Sequence, residues 1–287
     1  MGQEPAEPVV VGVDGSERSH AAVGWAAREA ARRGRRLRLL GVVEDGGTGH
    51  LGDAPGPGYP HQVRREAARG RLEGAAAGAR ETGPGVVVEV DLVDGEPEER
   101  LIALSRAAAL VVVGNSAHGP LRGLLLGSVL TAIAGRTACP LVAVRAPTAE
   151  GAPVVVGVHD VAGDAAALRF AFESADRAGV ALVVAHTWIG TNDRGEASDA
   201  APSAVSVAGW SRAFPDVEVR QLAGRDRPAD TLAELAGGAQ LAVLGSRGRP
   251  APVGAVLDSV GREVLHRAAC PVAIVPARLG TIEADPG

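Results

Sequence analysis

The chain has 287 residues, of which 46% are hydrophobic and only 2% aromatic, and its formal net charge at pH 7 is -5. This length and apolar content suffice for two domains with cores of Val, Leu, Ile and Ala, a composition that favours parallel strands covered by Ala-rich helices over an all-β sandwich. The negative charge provides no general attraction to nucleic acid or to an anionic membrane surface.

All 29 basic residues are arginines, because the sequence contains no lysine. A compositional bias of the source genome is the default explanation, but the lack of lysine excludes a P-loop lysine and a Schiff-base lysine. A bound phosphate would therefore be held by backbone N–H groups, hydroxyls, arginine or a metal ion.

The first residues, MGQEPAEP, are acidic and proline-rich and do not resemble a signal peptide, and no later segment has 18 uninterrupted apolar residues. We therefore expect a cytoplasmic protein. Cys139 and Cys270 each precede a proline at matching positions of the two halves. This arrangement favours two buried thiols over a disulfide, and two thiols alone cannot form a structural zinc site.

Apolar strand segments alternate with helical segments along both halves of the chain. In the first half the pattern predicts strands at 8–13, 35–43, 86–93, 110–114 and 140–145, and helices at 17–33, 61–82, 97–108 and 128–135. A linker rich in Gly and Pro follows at 146–153. The second half repeats the pattern with strands at 154–158, 180–186, 217–222, 241–245 and 272–275, and helices at 164–179 and 229–236.

The two halves are copies of one unit. Gly12 and Gly157 match at an offset of 145 residues, whereas Gly114 and Gly245, like Ser128 and Ser259, match at 131. Strands that alternate with helices imply right-handed crossovers and a parallel sheet. The predicted fold class is α/β, with two tandem, open, parallel-sheet domains at 1–147 and 153–287.

The segment that recurs most clearly is VVVGNSAHGPLRGLLLGSV at 111–129, which returns in altered form at 241–260. An apolar run leads into a glycine-rich loop, and an amphipathic segment that opens near a serine follows. This order is typical of a buried strand, a turn that exposes backbone N–H groups, and a helix start, which together form an anion site.

Both loops resemble the nucleotide motif of universal stress proteins, which reads Gly, two residues, Gly, nine residues, Gly, and then Ser or Thr. The likeness covers nearly the whole chain and includes VGVDGS at 11–16, LLLGSV at 124–129 and a Cys-Pro pair in each half. The resemblance implies tandem, Rossmann-like, five-stranded parallel sheets with ATP at the carboxyl ends of the strands. Open α/β sheets independently favour a ligand at the point where strand order reverses.

The resemblance also assigns the site residues. Contacts to the nucleoside are implied for Gly12, Val13, Asp14 and Val43. Contacts to the phosphates are implied for Gly114, Asn115, Ser116, Gly119, Gly127, Ser128 and Val129, with Arg122 as a charge partner. The second copy offers Gly157, Gly245, Arg247, Gly248, Ser259 and Val260. Mg²⁺ could accompany the nucleotide through its phosphates, because the first site shows few cations.

Three departures from the motif distinguish the copies. Ala117 replaces the second glycine of the first loop, while His159 takes the place of Asp14 and Asp258 that of Gly127 in the second copy. Asp258 is also a good helix N-cap, but a carboxylate there would repel a phosphate. We predict that the first domain binds ATP and that the second binds it weakly or not at all.

The predicted function is that of an ATP-binding, nucleotide-dependent regulatory or stress-response protein. No nucleophile and base can be paired and no Walker signature exists, so we do not predict an enzyme, although slow ATP hydrolysis stays open. One alternative is an interaction or dimerisation module that has lost its nucleotide; another is an ATP-dependent transferase. The protein partner cannot be identified from the sequence.

Several other features have simpler explanations than a binding site. His159 and His186 lack a third metal ligand, and Asp160 and Asp164 are expected to cap the following helix. The arginine-rich residues 32–38 fit a solvated helix end better than a nucleic-acid patch. The last strand of each half is apolar at every position; in this family such strands pair between domains, which implies a pseudo-twofold, and we also expect a homodimer.

Overall fold

The computed structural model describes residues 6–44, 60–115, 127–145, 150–159, 163–187, 204–224, 227–246 and 259–280. The chain divides into two compact units, Met1–Pro147 and Thr148–Gly287. Within the described ranges, no helix is both long and apolar enough to cross a membrane.

Unit 1 is an open α/β sheet. Its strands are β1 (Val9–Gly12), β2 (Leu37–Val43), β3 (Val88–Asp94), β4 (Leu110–Gly114) and β5 (Leu141–Val144). Its helices are α1 (Glu17–Arg33), α2 (His61–Thr82), α3 (Pro97–Leu104) and α4 (Ser128–Ile133), and a 3₁₀ turn follows α3 at Ser105–Ala107. The strand order is β3-β2-β1-β4-β5, and the paired strands are parallel.

Unit 2 repeats this architecture. Its strands are β6 (Val154–Val158), β7 (Leu182–Thr187), β8 (Val219–Gly224), β9 (Leu241–Ser246) and β10 (Val272–Pro276). Its helices are α5 (Ala165–Ala178), α6 (Ala204–Ala213), α7 (Pro228–Ala236) and α8 (Ser259–Arg267). The strand order is β10-β9-β6-β7-β8, again with parallel pairs.

The central strands are buried on both faces, as their continuous apolar runs predict. Val9, Val10 and Val11 of β1 are fully buried, and every residue of β5 is buried as well. The two cysteines are buried thiols, which confirms the sequence expectation, and burial raises the pKa of Cys270 to about 11. Aliphatic strands thus form the core of each sheet.

The first helix of each unit ends at a glycine but begins differently. Gly34 after α1 and Gly179 after α5 have φ of 60° and 62°, the left-handed conformation of a helix C-cap. Ser16 caps α1, because its hydroxyl accepts a hydrogen bond from the Ser19 N–H at 3.1 Å. Asp164 occupies the N-cap position of α5, as predicted, but its side chain makes no capping hydrogen bond to the helix.

Most predicted elements are confirmed, with differences of one to two residues at their ends. The helix predicted at 97–108 is α-helical only to Leu104, continues as a 3₁₀ turn over Ser105–Ala107, and is followed by Ala108 in an extended conformation. The sequence pattern did not predict α6, because its sequence AVSVAGWSRA mixes small and polar residues without a clear apolar face. Trp210 of α6 nevertheless stacks on Phe172 of α5, with ring centroids 6.0 Å apart.

Candidate functional site

The strand order of unit 1 reverses between β1 and β4. From β1 the chain continues to β2, which pairs with one side of β1. The other side of β1 pairs with β4, and Val11 lies opposite Val112. Because the two strands are parallel, Val13 and Asp14 after β1 lie at the same edge of the sheet as Gly114 and Asn115 at the end of β4. Such a reversal leaves a crevice at the sheet edge, which is where open α/β sheets bind ligands.

Asp14 follows the carboxyl end of β1, and it is exposed. Its Oδ1 accepts a hydrogen bond from the Ser16 N–H at 2.8 Å, which fixes the turn into α1. Arg71 of α2 packs on Gly15 in the same turn. Burial lowers the pKa of Arg71 from its usual range, and the negative charge of Asp14 acts in the opposite direction. A carboxylate and a guanidinium therefore share this end of the crevice.

Gly114 ends β4 in direct contact with the backbone of α1. A Cβ added to Gly114 would stand 2.8 Å from the Arg18 carbonyl carbon and 2.9 Å from the Ser19 nitrogen. Because these are backbone atoms, no side chain fits at this position without separating α1 from β4. The start of the glycine loop is therefore held against the first turn of α1.

Asn115, the next residue, is only 4% exposed and joins three elements. Its N–H donates to the Val144 carbonyl of β5 at 2.7 Å, and its own carbonyl accepts a hydrogen bond from Arg18 Nη1. Arg145 follows Val144 directly. Burial lowers the pKa of Arg145, and the nearby positive charge of Arg18 lowers it further.

Arg18, Arg71 and Arg145 were not among the predicted site residues, and the prediction of few cations at the first site is wrong, because these three arginines lie at this end of the sheet. The three residues lie far apart in sequence and belong to no motif, so no spacing could have associated them. The usable signal is the position of two of them relative to the strands. Arg18 lies in the first turn of α1, the helix that follows β1, and Arg145 directly follows β5. Both residues therefore lie at the carboxyl edge of the parallel sheet.

Of the remaining residues assigned to the first site, some are described by the structure and others are not. Val43 is buried at the end of β2, and its carbonyl accepts a hydrogen bond from the Gly95 N–H at 3.1 Å. Gly127 precedes α4 and its carbonyl accepts the Thr131 N–H at 2.9 Å, while Ser128 is exposed and Val129 half-buried. Outside the described residues lie Ser116, Ala117, Gly119 and Arg122.

Unit 2 has a buried carboxylate at the matching place. Asp164, 5% exposed, accepts a hydrogen bond at Oδ2 from the His159 N–H at 2.8 Å. A Cβ added to Gly245 would stand 2.5 Å from Asp164 Oδ1, so this oxygen lies directly against the start of the second glycine loop. In unit 1 the residue that matches Asp164 at the 145-residue offset is Ser19, whose hydroxyl accepts the Gly15 N–H at 3.2 Å.

Two of the cations of unit 1 have no arginine at the matching sequence positions of unit 2. At the offsets of 145 and 131 residues, Arg18 and Arg145 are matched by Gly163 and Pro276. His159 is exposed, and the Nε2 of His186 lies 3.4 Å from the His159 carbonyl oxygen. Among the described residues no group of three His, Cys, Asp or Glu side chains could hold a metal ion.

Of the other residues assigned to the second site, Gly157 lies in β6, with its added Cβ 2.9 Å from Leu232. Ser259 and Val260 begin α8. The predicted residues Arg247 and Gly248, and Asp258 on which the predicted asymmetry rested, lie outside the described residues. Among the described residues, Asp164 is the carboxylate that lies against Gly245.

The fold and these two edges define a class of protein: tandem open α/β units whose strand order reverses beside a glycine. Comparison with known proteins identifies the family. The family model described as "Universal stress protein family" matches residues 5–145 and 152–276. The chain belongs to the universal stress protein family.

Relatives share the full two-unit length. The universal stress protein Rv2005c of Mycobacterium tuberculosis is 34% identical over 291 residues, covering 93% of this chain and 96% of that protein. A universal stress protein of Mycolicibacterium smegmatis is 34% identical over 295 residues, covering 94% and 97%. The crystal structure of a universal stress protein from Archaeoglobus fulgidus has a TM-score of 0.73 at 18% identity, covering 95% of this chain and 97% of that one.

Proposed function

We propose that this chain is a cytoplasmic, ATP-binding regulatory protein in which unit 1 binds the nucleotide and unit 2 binds it weakly or not at all. The observation that carries the proposal is the contact of Gly114 with the first turn of α1. The contact brings the first turn of α1 against the end of β4 at the strand-order reversal, which is where an open α/β sheet binds its ligand beside a helix start.

Two further features of unit 1 fit an adenine nucleotide. Asp14 presents an exposed carboxylate at the end of β1, able to accept hydrogen bonds from ribose hydroxyls. Arginines on both sides of the crevice, Arg71 and the Arg18–Arg145 group, supply positive charge for the phosphates. Mg²⁺ would be held through the phosphates, where it would offset part of their charge.

The asymmetry between the units rests on Asp164. Its Oδ1 lies where the backbone of Arg18 and Ser19 stands in unit 1, directly against Gly245. A fixed negative charge there repels a phosphate, and no arginine occupies the positions that match Arg18 and Arg145. This same observation favours a second candidate role for unit 2, that of an interaction module without nucleotide.

A matched pair of variants tests the proposal by calorimetry with ATP. The wild type should bind one ATP per chain, Ser128→Ala should weaken binding about 10-fold, and Ser259→Ala should leave it unchanged, since only the first hydroxyl would contact phosphate. Asp14→Asn should weaken binding as well. Binding lost only in Ser259→Ala would place the nucleotide in unit 2 and contradict the assignment. No binding of any adenine nucleotide would favour the interaction module for both units.

The proposal includes a homodimer. Val90 on the outer strand β3 and Leu222 on the outer strand β8 are each 44% exposed. Exposed apolar residues on outer strands suit pairing with another chain. Light scattering of the wild type should give twice the chain mass, and Val90→Lys or Leu222→Lys should yield a monomer; a wild type that is already monomeric would contradict this part of the proposal.

A further inference from the structure

We propose that Arg18 and Arg145 form a phosphate-recognition pair in unit 1, through which the affinity for an adenine nucleotide rises with the charge of its phosphate chain. The inference rests on the proposed nucleotide site and names two residues outside the glycine motif. It is supported by hydrogen bonding, position and a comparison between the two units.

Hydrogen bonds join the Arg18 guanidinium and the strand residue before Arg145 to the same residue, Asn115. Arg18 Nη1 donates to the Asn115 carbonyl, and the Asn115 N–H donates to the Val144 carbonyl at 2.7 Å, one residue before Arg145. Arg18 belongs to α1 and Arg145 directly follows β5, so residues of two separate elements converge on this end of the sheet, where the charge of Arg18 acts on Arg145. The convergence depends on tertiary structure and not on a local sequence motif.

The electrostatics at this position favour an anion. Arg18 is partly buried and Arg145 is too, and the charge of one lowers the pKa of the other. Two like charges in a partly desolvated position raise each other's free energy, which a multiply charged anion between them lowers. A guanidinium carries five N–H donors in a planar fork that matches phosphate oxygens, and the bond to Asn115 uses one of those on Arg18.

The pair also lies at the correct side of the crevice. The backbone of Arg18 contacts Gly114, the first glycine of the loop, whereas Arg71 and Asp14 lie at the turn after β1. Arg71 is thus placed toward the nucleoside end and the Arg18–Arg145 pair toward the glycine loop. Unit 2 lacks both members of the pair, since Gly163 and Pro276 occupy the matching positions.

The test compares ATP, AMP and adenosine by calorimetry on the full chain. Variants Arg18→Gln and Arg145→Gln should each weaken ATP about 10-fold or more, weaken AMP less, and leave adenosine unchanged. Arg136→Gln is the control, because Arg136 is an exposed arginine between α4 and the amino end of β5, at the opposite edge of the sheet. Arg145→Lys, which keeps the charge and loses the fork, should be intermediate and serves if Arg145→Gln does not fold.

The outcomes separate the two proposals. Equal losses for ATP and adenosine, or unchanged ATP affinity in both arginine variants, would overturn the pair while leaving the nucleotide site intact. Failure of the wild type to bind any of the three ligands would refute the nucleotide site instead. In that case tripolyphosphate becomes the probe: binding by the wild type but not by the double variant supports the pair alone, and no binding refutes it too.

Discussion

Arg71 of α2 lies across the backbone of Gly15, the residue that follows Asp14. A Cβ added to Gly15 would overlap the Arg71 Cδ and stand 3.0 Å from its Nε, and Gly15 has a φ of 85°. The turn after β1 is therefore restricted twice, once by its backbone conformation and once by an arginine. The conformation of the Asp14 turn and the position of Arg71 depend on each other.

Gly15→Ala should lower the free energy of unfolding by about 2 kcal/mol, of which the left-handed conformation accounts for about 1 kcal/mol. Gly34→Ala is the control, because Gly34 has a φ of 60° with no atom within 4 Å of an added Cβ. Gly34→Ala should lower the free energy of unfolding only by the part that the left-handed conformation accounts for. Urea denaturation measures both, and equal losses would show that Arg71 moves aside freely.

A second prediction concerns the two glycines at the strand ends of unit 1. Gly114→Ala should destabilise by about 1–3 kcal/mol, because the new Cβ would meet backbone atoms of α1 that cannot rotate away. Gly12→Ala should change stability by no more than about 0.5 kcal/mol, since its nearest neighbours are side-chain carbons at 3.6 Å and beyond. Urea denaturation of both variants tests this, and comparable losses would contradict the assigned packing.

The sequence predicted the alternating elements because each carries its own local signal. The continuous apolar run of β1 and the serine and glycine that bound α1 are examples, and both predictions are confirmed. The resemblance to the family also predicted which edge of the sheet carries the candidate site, the edge with Gly114 and Asn115. α6 was overlooked because its burial depends on stacking against α5, which no local pattern encodes.

The charged groups of the candidate site show a different limit. Asp164 was interpreted as a helix cap, and its position beside Gly245 arises only when β9 and the start of α5 are brought together. Arg18 likewise reaches Asn115, and through it the end of β5, only in the folded chain. Motifs identify residues that are close in sequence, whereas Asp164 and Gly245 are 81 residues apart and Arg18 and Asn115 are 97 residues apart.

A third prediction is that α2 can be stabilised at its solvent-exposed glycines. Gly70 and Gly74 have no atom within 4 Å of an added Cβ. Gly70→Ala and Gly74→Ala should each raise the free energy of unfolding by about 0.5–1 kcal/mol, because alanine restricts the unfolded chain. Gly83→Ala is the contrasting variant, since its Cβ would lie 2.8 Å from the Ala27 carbonyl oxygen. Urea denaturation should show opposite signs, and a loss of stability in Gly74→Ala would indicate an unrecognised partner on this face.

The last prediction concerns the pH dependence created by Asp94 at the end of β3. Its Oδ1 lies 2.8 Å from His61 Nε2, and Arg65 Nη1 donates to both carboxylate oxygens at 2.9 Å. The hydrogen bond from His61 is the main cause that lowers the pKa of Asp94, and the charge of Arg65 adds to it. A carboxylate with a lowered folded pKa stabilises the fold fully above its unfolded pKa of about 3.9 and loses this contribution as pH falls through the folded value.

Asp94→Asn should therefore be less stable than the wild type at pH 5.5. The difference should shrink at pH 2.5, because Asp94 becomes protonated, and in high salt, because the contacts of Asp94 with His61 and Arg65 are exposed and are screened. Urea denaturation at the two pH values measures it. Glu81→Gln, which removes an exposed carboxylate from the same helix that carries His61 and Arg65, is the control and should show little difference at either pH. A deficit of Asp94→Asn that is as large at pH 2.5 as at pH 5.5 would mean that Asp94 contributes through packing and not through its charge.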